Sequence, residues 1–198
     1  MEGETTKPKV RPMHIVLCAV TVGLTSVATW ISVTAFPIGA PGISFFFWAI
    51  GLMVAFTMWF GIWGAIGCSI GAIIGGMWGG LPFAVALLLD GVTDFIEPVI
   101  PALVFRSLAL NPELKTRRDW TVYVVASVVA ATVGGFIGAN VEVWVGWVPG
   151  MFSPAFYISW LGWTIGDIVC FIVIGGTLLR TLTGFTKRMG LYSKTWLA

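Results

Sequence analysis

Charged side chains are scarce in this sequence. Asp, Glu, Lys and Arg make up only 10% of the 198 residues, whereas 58% are hydrophobic. Soluble domains are usually about a quarter charged. The stretch Ile15–Leu89 contains no Asp, Glu, Lys, Arg or His, and one membrane span needs only about 20 apolar residues. The composition therefore excludes an ordinary water-soluble domain and predicts an integral membrane protein.

Recognisable catalytic and metal motifs are also lacking. The sequence has no GxxxxGK[ST] phosphate loop, no HExxH and no CxxC, so neither ATP hydrolysis by a P-loop nor a zinc site of these types is expected. Cys18, Cys68 and Cys170 lie in separate apolar runs and are predicted to be unpaired packing residues. The single histidine, His14, is interpreted as a helix-end residue. We therefore expect no metal, no cofactor and no enzyme acting alone.

Proline and glycine clusters divide the apolar sequence into six predicted helices. We expect an all-α integral membrane bundle, with a polar leader at residues 1–12, a transmembrane domain at 13–182 and a tail at 183–198. The predicted helices are Met13–Ala35, Ile43–Phe60, Ile62–Trp78, Phe83–Phe105, Trp120–Trp144 and Ala155–Leu182.

The basic residues support this topology, because Lys and Arg near span ends concentrate on the cytoplasmic side. All 11 lie in three groups, at residues 7–11, 106–118 and 180–194. Six spans with both termini in the cytoplasm place every group on that side. The expected location is the inner (plasma) membrane, and the basic groups are interpreted as topology signals rather than as a nucleic-acid interface.

Small residues recur at helical spacing in two of the predicted helices. Such spacing lets helix backbones approach closely in lipid, so we predict tight packing within the bundle in preference to a subunit contact. The glycines are Gly64, Gly67, Gly71 and Gly75 in the third helix and Gly134 and Gly138 in the fifth.

Three acidic residues share one face of the fourth helix. At 100° per residue, Asp90, Asp94 and Glu97 fall within an arc of about 60°. Intramembrane charges cost at least about 2.5–3.5 kcal/mol each, so this face should point into the bundle, a watery cavity or a partner. Either the acids have a functional role, or they pair with Arg106, Arg180 or polar neighbours and hold helices together.

A fourth intramembrane acid, Asp167, lies in the sixth helix. The sequence leaves two interpretations open. Asp167 meets the acids of the fourth helix, or its partner is a hydroxyl such as that of Thr164.

Aromatic and polar residues gather toward the predicted outer side. Trp and Tyr at this level are typically interface anchors, but rings beside a carboxylate and an amide also suit a flat or cationic small molecule. Both interpretations stay open. The candidate ligand-binding residues are Asn140, Glu142, Trp144, Trp147, Tyr157, Trp160 and Trp163.

Three segments of the first half resemble the substrate-binding S components of energy-coupling factor (ECF) vitamin transporters. They are AVTVG at Ala19–Gly23, FPIG at Phe36–Gly39 and FGIWGAIG at Phe60–Gly67. The sequence departs from the family at Gly23, where members often have alanine. The resemblance implies a six-helix subunit that binds a scarce nutrient outside, at the aromatic residues above, with loop Phe36–Gly42 as a lid.

The resemblance also implies partners. A membrane coupling (T) subunit and two cytoplasmic ATPases would drive uptake, and Ala19 and Gly23 would contact the coupling subunit. Two alternatives from other classes remain. One is a structural or accessory subunit of a larger membrane enzyme. The other is a membrane sensor domain, because Trp163–Asp167 is also similar to the last helix of MASE1-type domains.

The topology can be tested by cysteine labelling. A cysteine reporter at Lys115 is expected to react only with reagent on the cytoplasmic side, and one at Gly150 only with reagent outside. The reverse labelling pattern would exclude the six-span topology.

Overall fold

The computed structural model describes residues 12–37, 43–193 and 196, and these residues form six helices. Across the described ranges there is no β-strand, only an isolated antiparallel bridge between Pro37 and Ser44. Helix α4 is continuous through three segments, Phe83–Ala86, Leu87–Thr93 and Asp94–Ser107. The other helices are α1 Pro12–Ala35, α2 Ala49–Phe60, α3 Ile62–Trp78, α5 Arg117–Trp144 and α6 Pro154–Arg188.

Three of the helices, α1, α5 and α6, are long and apolar enough to cross a membrane. Helices α2 and α3 are apolar but shorter, with 12 and 17 residues. The all-helical class is thereby confirmed, and the three long helices have the length and composition of membrane spans. The number of spans and the side of each terminus stay predictions.

The second helix starts later than predicted. Its expected start was Ile43, but α2 begins at Ala49. The residues before it form a non-helical segment, and Ile43 within that segment is only 4% exposed. At about 1.5 Å per residue, α2 reaches roughly 18 Å. It is therefore shorter than the hydrocarbon core of a typical bilayer, which is about 30 Å thick.

The starts of α5 and α6 are set by capping residues. Thr116 accepts a hydrogen bond from the backbone N–H of Asp119, whose side chain accepts one from the N–H of Thr116, so α5 starts at Arg117 rather than at the predicted Trp120. Ser153 caps α6 in the same way, through the N–H of Phe156. These side chains satisfy amides that a helix start leaves without partners.

The end of α6 also differs from the prediction. The helix continues to Arg188, beyond the expected end at Leu182. The predicted boundary at residue 183, between the transmembrane domain and the tail, therefore falls inside a helix.

Two helices contain wide π-helical turns, Leu87–Thr93 in α4 and Phe171–Gly175 in α6. Such turns are rare and occur frequently at functional sites. The second is fixed by Tyr123 of α5, whose hydroxyl donates a 2.7 Å hydrogen bond to the carbonyl of Phe171. Both turns lie next to intramembrane acids, since Asp90 is within the first and Asp167 is four residues before the second.

Helix α1 packs most extensively against α3, through glycines that face threonines. Three glycines of α3 lie so close to α1 that a Cβ atom added to any of them would collide with it. The two backbones therefore approach as closely as the spacing predicted. We call this contact the α1–α3 glycine contact. Its pairs are Gly67 with Thr21, Gly71 with Thr25, and Gly75 with Thr29.

The other predicted small residues also pack inside the bundle. Gly64 lies against Phe56 of α2, Gly134 against Glu97 and Gly138 against Trp163. The preference for internal packing over a subunit contact is confirmed for these positions.

The opposite side of α1 faces outward. Ala19 and Gly23 are exposed, and a Cβ added to Gly23 would meet nothing within 4 Å. This surface is open to lipid or to another protein, and a substitution here does not disturb the bundle.

The α1–α3 glycine contact gives a matched pair of variants. Gly71→Ala is expected to lower the free energy of unfolding by about 1–3 kcal/mol, because the added methyl group overpacks the contact. Gly23→Ala makes the same chemical change on the open side, and its better helix propensity is worth up to about 1 kcal/mol of stabilisation. Unfolding of the two variants in detergent tests this difference, and equal stability would contradict the close approach.

Candidate ligand-binding site

Three of the four acids that the sequence predicts to lie within the membrane meet at one small cavity, which we call the inner cavity. Its volume is about 20 Å³. The acids are Asp90 and Asp94 of α4 and Asp167 of α6, and each is at most 7% exposed. The prediction that the acidic face of α4 points into the bundle is thus confirmed. The remaining wall is formed by Val33, Ile43, Ser44, Phe45, Phe47 and Trp163.

Several carboxyl oxygens in and next to the inner cavity lack hydrogen-bond partners. One oxygen of Asp90, one of Asp94 and both of Glu97 are buried without a hydrogen-bond partner. Glu97 lies outside the cavity wall, packed against Gly134 of α5, and is within electrostatic range of Asp94 and Asp167. Buried polar groups nearly always have partners, and these carboxyl oxygens are exceptions to that rule.

The arginines do not neutralise the acids. Arg106 donates to the carbonyl oxygens of Ala102 and Met58, and Arg180 donates to the carbonyl of Leu114. Within the described ranges, both Lys–carboxylate ion pairs belong to Glu113. The alternative that the acids pair with Arg106 or Arg180 is therefore wrong.

The two interpretations of Asp167 are also resolved. The hydroxyl of Thr164 donates to the carbonyl of Ala131 at 3.4 Å, whereas Asp167 lines the inner cavity with Asp90 and Asp94. Asp167 therefore meets the acids of the fourth helix.

A second cavity, which we call the outer cavity, has a volume of about 270 Å³. It contains one carboxylate, Glu142, and two indoles, Trp147 and Trp163. Ser159 donates a hydrogen bond to Glu142, and Trp163 interacts with the same carboxyl group. Glu142 is only 6% exposed, whereas Trp147 is 38% exposed. A buried carboxyl group thus lies beside two flat rings.

The two cavities share one wall. Ile43, Ser44, Phe45 and Trp163 line both. The segment before α2 is held there by α6, because a Cβ added to Gly166 would press on the carbonyl of Phe45. This non-helical segment therefore forms part of the wall between the two cavities.

The structure separates the other four predicted ligand residues from the outer cavity. Asn140 and Trp144 lie along a shallow groove of α5, and Trp144 is 71% exposed. Tyr157 and Trp160 belong to an aromatic cluster with Phe156. The indole of Trp160 donates to the carbonyl of Thr132, so it joins α5 and α6. These four side chains therefore line neither cavity; they pack against other side chains or lie at the surface.

Sequence reasoning missed Ser159 and the segment Ile43–Phe45. The serine has a readable signal, since it lies among predicted site residues of α6. The segment has none, because its apolar residues look like the start of a helix. Of the predicted lid, Phe36–Gly42, residues 38–42 lie outside the described residues.

The sequence contains one enzyme-like motif, so the expectation that it has no G-x-S-x-G pattern is wrong. Residues Gly67–Gly71 match G-x-S-x-G, the pattern of the nucleophile elbow, which requires a sharp turn from strand to helix. Here the motif lies inside α3, and Ser69 donates to the carbonyl of Gly91 at 2.6 Å. The serine therefore joins α3 to the wide turn of α4.

A loop acid provides a contrast to the intramembrane carboxylates. Hydrogen bonds from Lys115 and Lys187 hold the pKa of the Glu113 carboxyl below its ordinary value. Glu113 lies between α4 and α5, far along the chain from both cavities. It is a fully paired acid and a suitable control position.

Metal-type geometry is not formed by the described part of the chain. No three His, Cys, Asp or Glu side chains there are close enough to hold a metal ion together. Cys18, Cys68 and Cys170 are free, as predicted. No family model, curated protein or solved structure matches this chain, so its function has to be inferred from these residues.

Proposed function

We propose that this protein is the membrane substrate-binding subunit of an ATP-driven micronutrient transporter of the ECF type, and that it binds a small, flat, cationic molecule in the outer cavity. The observation that carries the proposal is the placement of a buried carboxylate, Glu142, beside Trp147 and Trp163. Indole faces attract cations, and a buried carboxylate favours them further.

The size of the outer cavity limits the ligand. Its volume of about 270 Å³ is just below the range of about 300–1,000 Å³ that is usual for ligand pockets. A molecule with one or two rings fits this space, and a thiamine-like vitamin is an example. The exposed edge of Trp147 supplies an entrance, while Trp163 lies deeper, next to the inner cavity.

The proposal includes the full topology and the partners. Six spans with both termini in the cytoplasm place the outer cavity at the external surface, where a nutrient arrives. The T subunit and two cytoplasmic ATPases supply the energy. Support for a partner contact comes from Ala19 and Gly23, which lie on the outward side of α1.

The structural-subunit alternative receives less support. Its motivation was an acidic face of α4 turned toward a partner. Asp90, Asp94 and Glu97 are instead buried within the bundle, so this face is not available for docking.

Calorimetric titration of a vitamin panel, charged and neutral, tests the ligand. We expect the wild-type protein to bind a cationic ring compound, and Glu142→Gln to weaken that binding by about 1–3 kcal/mol because a desolvated charged contact is lost. Trp163→Ala should weaken it as well. The matched control is Trp144→Ala, since Trp144 is surface-exposed and lines neither cavity.

Two negative outcomes of the titration would have different meanings. Unchanged affinity in both cavity variants would place the ligand elsewhere in the protein. Binding of no panel member by the wild type would contradict the ligand class itself.

The partner contact is tested by Gly23→Leu. Because nothing lies within 4 Å of a Cβ at this position, we expect the variant to fold and to bind ligand normally. The bulky side chain would hold a close-packed partner helix away, so energised uptake in cells should be lost. Normal uptake by the variant would exclude this surface as the coupling contact.

A further inference from the structure

We propose that the end of α4 forms a binding site for the phosphate headgroup of an anionic membrane lipid, with the guanidinium of Arg106 as its charged contact. The site is a third cavity, separate from the inner and outer cavities, which we call the Arg106 cavity. The predicted topology places it on the cytoplasmic side of the membrane, and it does not require the organic ligand.

The Arg106 cavity is large enough for a lipid headgroup. Its volume is about 760 Å³, within the range of about 300–1,000 Å³ that ligand pockets usually have. Leu103 and Arg106 line it from α4, and Pro112 lines it from the loop before α5. Tyr192 and Trp196 line it from the segment that follows α6.

The side chain of Arg106 is held at the wall of this cavity. Its Nη2 atom donates to the carbonyl of Met58 of α2 at 3.2 Å, and its Nη1 atom donates to the carbonyl of Ala102 at 3.4 Å. The guanidinium also lies over the indole of Trp196, 5.2 Å from the ring centroid. These contacts orient a long side chain before any ligand arrives, which lowers the entropic cost of binding.

The positive charge of Arg106 has no acidic partner among the described residues, since both ion pairs found there belong to Glu113. An arginine has five N–H donors, two of them on each Nη atom. The two hydrogen bonds to carbonyls use one N–H of each Nη atom, so one N–H remains on each. The planar guanidinium matches phosphate geometry, so a phosphate group supplies both the counter-charge and the acceptors.

The side chains around the cavity also attract an anion. The Nζ atom of Lys187 lies over the ring of Tyr192, 5.4 Å from its centroid. Lys187 and Lys115 share a single acid, Glu113, so cations exceed acids among these side chains. The phenol of Tyr192 can donate a further hydrogen bond to a phosphate oxygen.

Apolar residues on the same wall favour a lipid over a free phosphate or an acidic peptide. Leu103 lines the cavity and is 45% exposed, and Val104 and Leu110 add to the apolar lining. An occupant that complements the whole wall therefore combines a negative head with hydrocarbon. The predicted fourth span ends at Phe105, directly before Arg106, which is the level of the headgroups. Basic pockets at this level bind anionic lipid headgroups.

Calorimetric titration of dihexanoyl phosphatidylglycerol, a soluble anionic lipid, into the purified wild-type protein in neutral detergent tests the site. We expect saturable binding. Dihexanoyl phosphatidylcholine has the same chains without net charge and should bind at least about tenfold more weakly. Inorganic phosphate has the charge without the chains and should also bind at least about tenfold more weakly. The anionic lipid should raise the unfolding temperature, because a ligand of the folded state stabilises it.

Variants locate the headgroup. Arg106→Gln should lower the affinity for the anionic lipid at least about tenfold, because a charge-assisted contact is lost. Arg106→Lys keeps the charge without the planar fork and should bind with intermediate affinity. The matched control is Arg117→Gln, which removes the same charge from an exposed position outside the cavity and should bind normally.

The proposal is overturned if the wild type shows no saturable binding of the anionic lipid, or if the zwitterionic lipid binds equally well. Equal binding of inorganic phosphate would also overturn it and would indicate a site for a soluble anion. Tighter binding of polyglutamate than of the lipid would overturn it in favour of an acidic protein partner.

Wild-type affinity in folded Arg106→Gln would likewise overturn the proposal. Should this variant fail to fold, the comparison of the four ligands on the wild-type protein still decides the question. None of these measurements involves the vitamin panel, so they are independent of the proposed transport function.

Discussion

Four carboxyl groups buried in an apolar bundle, with no basic side chain of the described residues paired to them, impose the constraint that shapes this molecule. A charge facing lipid costs several kcal/mol, so α4 must direct Asp90, Asp94 and Glu97 inward. Room for them comes from glycine, since Asp90 lies against Gly76 and Glu97 against Gly134. Asp167 approaches from α6. Helices α3, α4, α5 and α6 thus surround these carboxyl groups as well as contributing to the main hydrophobic core.

The packing of α1 shows the complementary solution for helices without charge. Here close approach replaces polar attraction, because the glycines of α3 let the threonines of α1 contact its backbone. Two of these threonines bond within α1, since Thr21 donates to the carbonyl of Cys18 at 2.8 Å and Thr25 to that of Thr21 at 2.6 Å, whereas the buried hydroxyl of Thr29 has no partner. One side of the bundle is therefore held by van der Waals contact, and the other surrounds the two cavities.

Periodicity made much of this predictable. The inward acidic face and the glycine packing follow from residue spacing, and the end of α1 and both limits of α3 follow from proline and glycine clusters. The caps at Thr116 and Ser153 were readable but overlooked. The late start of α2 was not readable, because Ile43–Trp48 is as apolar as a helix and its conformation depends on contacts with α6. The outer cavity contains Phe45, Glu142 and Trp163, which only the tertiary structure brings together. The sequence therefore predicted the carboxylate and the indoles of this cavity along with four residues that lie elsewhere.

The wall shared by the two cavities has a thermodynamic consequence. Trp163 and Phe45 present one face to each cavity, so a displacement of either residue changes both spaces at once. Occupants on the two sides then bind with linked affinities, and linkage requires each to alter the other by the same factor.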